Sequence, residues 1–219
     1  MPLSFKNNLI PILFIAFMML ATSVDPLVVG RVIGDVVDMF IPSVGMSVYF
    51  GPKHVTNGCD IKPSMAINPP KITLTGKMDN LYTLVMTDPD APSPSEPSMR
   101  ELLHWIVVDI PGGTNPKRAA YIYIICQLLI SEISNNVVVN CGCIHAGKEI
   151  LPYIGPKPPI GIHRYIMVLF EQKGPIGMME QPTTRVSFNT RYFASQLDLG
   201  LPVATVYFNS QKEPRSKRR

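Results

Sequence analysis

Two aspartates and two histidines carry the chemistry this sequence could perform. The stretch Asp88-Pro89-Asp90-Ala91-Pro92-Ser93-Pro94-Ser95 places two carboxylates in a proline-stiffened turn, where fixed φ angles hold side chains in place at little entropic cost. His104-Trp105 opens one apolar run, and Gly161-Ile162-His163-Arg164-Tyr165 leads into another. Both imidazoles therefore stand at strand mouths that can converge on the acidic turn. Protonated or donating imidazoles bind phosphate oxygens, and carboxylates fix an imidazole's tautomer and orientation, so the set has the makings of a small anion pocket. Taken one at a time, the same residues are ordinary turn formers and structural hydrogen-bonders.

Hydrolysis fits these residues poorly. Ser93 and Ser95 lack a nucleophile-elbow context, and no helix sets two histidines four apart around a glutamate. By residue type alone Asp88, Asp90, His104 and His163 would admit a metal; no metal, no cofactor and no catalytic residue is expected.

The elements that must position these groups are mostly strands. Met46 to Phe50, Lys71 to Thr75, Tyr82 to Met86, His104 to Val108, Tyr165 to Phe170 and Val203 to Phe208 are β-rich runs bounded by proline, glycine, asparagine or aspartate. The runs at 104–108 and 165–170 are continuously apolar, which predicts central strands covered on both faces. Val29, Val32, Ile33, Val36, Val37 and Phe40 recur at helical spacing with Pro42 just beyond, predicting one amphipathic helix over 28–40. A short helix is expected over 190–197.

Composition agrees. With 219 residues and 46% hydrophobic content there is enough apolar side chain for one sizeable core. The 22 prolines argue for short strands joined by loops and against a helical bundle. The fold class expected is mainly β with short flanking α-helices. The net charge of +4 is concentrated in a tail bearing Lys212, Arg215, Lys217, Arg218 and Arg219, so no direct DNA binding is expected. That tail reads as a solvated end, or as a nuclear-import or phosphate-contacting one. Cys59, Cys126, Cys141 and Cys143 imply no disulfide framework, and the spacing of the last two is too short for paired zinc ligands. Leu9 to Ala21 is an apolar run of signal-peptide length followed by small residues, too short for a membrane span.

Together the acidic turn, His104-Trp105 and Gly161 to Tyr165 resemble the three pocket motifs of the phosphatidylethanolamine-binding protein family. Val24-Asp25-Pro26-Leu27-Val28-Val29-Gly30-Arg31, Phe50-Gly51-Pro52-Lys53-His54, Asp109-Ile110-Pro111-Gly112-Gly113 and Leu199-Gly200-Leu201-Pro202 are similar to its plant mother-of-flowering-locus-T branch. The resemblance runs from about Ser23 to the C-terminus with one interruption. It implies a large central sheet, a smaller sheet and an anion pocket near one edge, in a non-enzymatic regulator of seed germination, dormancy or flowering through hormone signalling, abscisic acid included. It also implies basic leucine-zipper transcription factors as partners and a phosphate or phospholipid-headgroup ligand. The ligand-binding positions carried over are Asp88, Asp90, Pro92, His104, Gly155, His163 and Tyr165. Leu102 stands at the pocket mouth, where the branch resembled has tryptophan; leucine stays apolar but loses area and the indole N–H.

Asp79, Arg118 and Pro175 occupy positions where floral promoters in the family present basic and aromatic residues to 14-3-3 adaptors, so weak or absent adaptor binding is expected. Ala119 to Ala146 separates pieces that run nearly together in the family, and its apolar content is unsuited to an exposed loop. It reads as translated non-coding sequence, or as a membrane-touching or oligomerising insertion. The leader 1–23 is likewise foreign to the family pattern. The organisation expected is a domain over 24–211 interrupted at 119–146, followed by the basic tail 212–219, in nucleus and cytoplasm. The alternative is a secreted or membrane-associated headgroup binder or protease inhibitor, if the leader is real.

Overall fold

The computed structural model describes residues 24–77, 79–113, 147–177 and 179–214. The leader 1–23, the insertion 119–146 and the tail beyond residue 214 lie outside the described residues. The described chain forms two sheets. The larger contains β3 (Cys59–Asp60), β9 (Ala204–Gln211), β8 (Ile162–Gln172), β5 (Leu81–Asp88), β6 (Leu102–Pro111) and β7 (Lys148–Leu151), in that spatial order. The smaller is β2 (Lys53–His54), β1 (Met46–Phe50) and β4 (Lys71–Leu74). Neighbouring strands are antiparallel except β3 and β9. The architecture is mainly β with short helices, as the composition predicts.

The large sheet has an apolar layer on each face. Tyr165, Met167 and Leu169 of β8 pack with Trp105 and Phe208 toward Val48, Phe50, Ile72 and Leu74 of the small sheet. Ile166, Val168 and Phe170 pack on the other side, against Leu27, Val32, Val36, Phe40, Ala194 and Leu199. Period-two alternation sends successive residues of one strand to the two layers, so a strand covered on both faces reads as an unbroken apolar run. Each such side chain, fully buried, is worth about 1.5–3 kcal/mol of transfer free energy.

The helix expected over 28–40 does not form. In its place are two single turns, α1 (Pro26–Val29) and α2 (Val32–Asp35). Arg31 between them has φ 55°, and Ile33 and Gly34 inside α2 leave helical torsions, Gly34 with φ 106°. The apolar spacing still buries Leu27, Val32, Val36, Val37 and Phe40 while leaving Val29 exposed. Two distant arginines explain the local choice: Arg164 Nη1 donates to Gly30 O at 2.8 Å, and Arg191 Nη2 donates to Gly34 O at 2.8 Å and Val37 O at 3.0 Å. Carbonyls that a continuous helix would satisfy internally are satisfied from across the domain. The later helix, α3 (Thr190–Gln196), forms as expected, with Asn189 Oδ1 accepting from Tyr192 N at 2.8 Å as its N-cap.

One irregularity decides where His104 points. Met86 of β5 pairs with Trp105 but Thr87 pairs with Leu103, leaving His104 without a partner across that ladder. One extra residue in a strand bends it and re-aims a side chain. His104 and Trp105 consequently serve the same layer: Trp105 is in the core between the sheets, and the His104 ring meets Tyr165 of that core edge to face at 5.1 Å.

Candidate functional site

The acidic turn does not act as one unit. Asp88, at the end of β5, accepts from Nδ1 of His163 through Oδ2 at 2.7 Å and from the Asp90 backbone N–H through Oδ1 at 2.8 Å. Asp90 turns the other way. Its Oδ2 accepts from the Arg164 backbone N–H at 2.9 Å and from Arg164 Nε at 2.8 Å, and its Oδ1 accepts from Arg164 Nη2 at 2.7 Å. Arg164 Nη2 also reaches Asp35 Oδ2 at 3.0 Å. Burial alone would raise Asp90, but the hydrogen-bonded guanidinium of Arg164 outweighs it and holds the carboxyl below its ordinary value. The cause of the split is strand geometry: His163 and Arg164 are consecutive in β8, so they project to opposite faces and each takes one aspartate.

His163 is fully buried. Its Nε2 lies 3.0 Å from Ile160 O and its Nδ1 faces the Asp88 carboxylate. Both neighbours can only accept, so the state that satisfies both is the imidazolium, donating twice. Burial by itself would lower its pKa; the Asp88 carboxylate outweighs burial and raises it.

His104 is the opposite case. Nδ1 donates to Ile154 O at 2.8 Å, and Ile154 N donates back to His104 O at 3.0 Å. Nε2 therefore carries the lone pair of a neutral ring, and it is buried with no hydrogen-bond partner among the described residues. Burial lowers this histidine's pKa, more than Ile154 O and Asp88 raise it. Between the two imidazoles stands Tyr165, stacked on His163 at 6.5 Å and edge to face with His104. Its own hydroxyl is pushed well above the ordinary phenol value by burial, with Asp88 adding to the effect.

The remaining expected positions are Pro92, Leu102 and Gly155. Pro92 is half-buried and follows a cis bond from Ala91. Leu102 is half-buried and pairs with Asp88 across the β5–β6 ladder. Gly155 follows Ile154 directly, and a Cβ there would lie 2.5 Å from Ala66 O. Its role is close backbone approach, which holds the segment that presents Ile154 O to His104. Among the described residues there is no group of three or more histidine, cysteine, aspartate or glutamate side chains placed to hold a metal.

Arg185 is absent from the sequence-based set. Its Nη1 donates to Leu103 O at 3.2 Å and His104 O at 3.1 Å, and its Nη2 to Pro152 O at 2.8 Å. Burial lowers its pKa. Three carbonyls from two distant segments are invisible to any local pattern. Arg164 is absent from that set too, though a signal for it exists: it lies between His163 and Tyr165, and alternation sends it to the other face. Asp79 and Pro175 line one groove with Glu171 and Lys173, away from the histidines; Arg118 lies outside the described residues.

Comparison with known proteins gives the same family at the level of sequence and of fold. Residues 44–208 match the family model described as phosphatidylethanolamine-binding protein. The chain is 48% identical over 202 residues to Protein MOTHER of FT and TFL1 homolog 2 of Oryza sativa subsp. japonica, covering 91% of this chain and 100% of that protein. It is 43% identical to Protein BROTHER of FT and TFL 1 of Arabidopsis thaliana, covering 91% and 98%. In fold it is similar to the phosphatidylethanolamine-binding protein from Plasmodium vivax, with TM-score 0.64, 22% identity and coverage of 86% and 97%. Two stacked sheets, the motif-bearing strand ends and these matches lead to one conclusion: the chain belongs to the phosphatidylethanolamine-binding protein family.

Proposed function

We propose that this protein is a non-enzymatic plant regulator that binds basic leucine-zipper transcription factors in nucleus and cytoplasm, and accepts a phosphate-bearing ligand beside His104 and His163. Its processes are seed germination and dormancy or flowering, under hormone control. The observation that carries the ligand reading is the buried pair of Asp88 and His163 beside a His104 Nε2 that has no partner among the described residues. A buried polar atom left without a partner is costly, about 1–3 kcal/mol, and a ligand or water that meets it offsets that cost. The arrangement lacks the hallmarks of a hydrolase: His163 has both ring nitrogens engaged by acceptors, and Ser93 Oγ is hydrogen-bonded to Ser95 Oγ at 2.9 Å. The relatives named above support the plant regulatory reading.

Two titrations test it. Calorimetry of the full chain with inorganic phosphate is expected to give saturable binding that is lost when His104 and His163 are replaced by apolar residues; unchanged binding removes the anion site. Titration with a purified basic leucine-zipper protein is expected to give a complex without added 14-3-3 protein, and its absence removes the partner reading. The intact mass of the mature protein from its tissue is expected to lack residues 1–23 and 119–146. A retained insertion with a cleaved leader would favour the secreted headgroup binder instead.

A further inference from the structure

A groove of about 300 Å³ lies on the face of the large sheet opposite His104 and His163. Its floor is apolar: Val36 and Val37 just after α2, Phe170 of β8 and Ala194 of α3, with Leu201 as an exposed lip. The volume is at the lower end of the range for small-molecule sites, which are mostly apolar with a few placed polar groups. Small residues leave the room. Ala194 is one; Gly200 is another, where an added Cβ would meet no atom within 4 Å among the described residues beyond its chain neighbours.

The polar side chains at the groove present acceptors. Thr190 Oγ1 donates to Glu101 Oε2, and Ser195 Oγ donates to Tyr192 O at 2.8 Å. Arg191 turns its guanidinium inward, donating to Asp35 O at 3.3 Å, Gly34 O at 2.8 Å and Val37 O at 3.0 Å, and through Nε to Asp38 Oδ1 at 2.8 Å. The groups facing outward are the carboxylates of Asp38 and Asp198, with side chains 65% and 78% exposed. A carboxylate has about four lone-pair sites, so Asp38 keeps acceptor capacity beyond Arg191. Asp198 already takes an ammonium: Lys173, just after β8, pairs with its Oδ2. Both partners of that pair are exposed, so it is weak and exchangeable.

We infer that this groove binds a small amphipathic amine, its apolar body on the floor of Val36, Val37, Phe170 and Ala194 and its protonated nitrogen at the rim carboxylates Asp38 and Asp198. An ammonium brings three donors and no acceptor, which suits a rim of acceptors. A carboxylate or phosphate of the same shape would meet its own sign of charge. The floor is confined between α3 and the segments at 36–38 and 200–202, which favours a single compact body over an extended chain. The site is separate from the histidine pocket and does not depend on the phosphate reading.

The test is a methyl-resolved NMR titration of the full chain at pH 7 and low salt with three ligands of one shape: 2-phenylethylammonium, 2-phenylethanol and 3-phenylpropanoate. The amine is expected to shift the methyl signals of Val36, Val37, Ala194 and Leu201 saturably. The alcohol should bind roughly fivefold more weakly, the scale of an exposed ion pair, and the carboxylate more weakly again. Replacing Asp38 and Asp198 together with asparagine should bring the amine down to the alcohol, and Lys173→Met, which frees Asp198, should raise amine affinity. The ligand series on the unaltered chain stands whether or not the variants fold. Equal or tighter binding of the alcohol or carboxylate overturns the inference, as does amine affinity unchanged in the doubly substituted chain. Shifts confined to methyl groups elsewhere, or none with any of the three, remove the groove as a binding site. Shifts of the same methyl groups on raising protein concentration alone would assign the groove to a second copy of the chain and overturn the amine reading.

Discussion

Asp88 Oδ2 lies 2.7 Å from Nδ1 of His163, both side chains buried, while Asp90 two residues later is held by Arg164 on the opposite face of the sheet. Two aspartates that look equivalent in sequence thus do different work: one sets the charge of an imidazole at the site, and the other anchors the turns that cover the far face.

Asp88→Asn is expected to remove the charge that sustains the His163 imidazolium while keeping the volume. The His163 pKa, followed by its ring-proton NMR shifts, should drop below the wild-type value. Stability should fall by roughly 3 kcal/mol, because a buried pair is broken on one side. An unmoved His163 titration would mean that Ile160 O alone supports the cation.

Arg164→Met leaves Asp90 and Asp35 without their main partner. Breaking a buried pair on one side costs roughly 3–5 kcal/mol, readable as a lower urea midpoint at unchanged slope. Phosphate affinity, measured on the folded fraction, should change little, since Arg164 faces away from His104. A large affinity loss would place Asp90 in the ligand site after all.

Gly155→Ala puts a methyl group 2.5 Å from a backbone oxygen that cannot rotate away. A backbone shift costing about 1–3 kcal/mol is expected. The same shift should loosen the bond from His104 Nδ1 to Ile154 O, so that the His104 ring-proton signals move in NMR spectra although residue 155 does not touch the ring. Unmoved signals would uncouple the two.

The two histidines predict opposite pH limbs. His163 has a raised folded pKa, so its contribution is full below the unfolded value of about 6.5 and is lost as pH rises through the folded value. His104 has a lowered folded pKa, so its contribution is present above about 6.5 and is lost as pH falls through the folded value. Urea midpoints should therefore lose an acid-side decline in His104→Gln and an alkaline-side decline in His163→Gln. Parallel curves in both variants would contradict the assigned charges.

Much of the fold was legible because its signals are local. Lys71, Tyr82 and Phe208 sit in or at the ends of the strands that β-propensity and turn residues marked out, and Thr190 opens the short helix expected there. The β8 run from Tyr165 to Phe170 is a central strand for the stated reason, burial of both faces. The helix over 28–40 failed because its apolar spacing recorded only which residues are buried. The backbone that buries them is set by Arg164 and Arg191, both more than 120 residues away in sequence.

The sequence by itself determined the mainly β class and the residue types gathered at the ends of β5, β6 and β8, because motif spacing and side-chain alternation are properties of the chain, and through the family that its motifs resemble it implied the large and the smaller sheet. Only the tertiary structure decided the charge and direction of each group. The unpaired position of His104 in the β5–β6 ladder turns its ring into the core beside Tyr165, Ile154 O locks its tautomer, and consecutive residues of β8 divide Asp88 from Asp90. Those outcomes depend on strand register and on carbonyls brought in from distant segments, and hydrogen-bond partners so chosen leave no mark in local sequence.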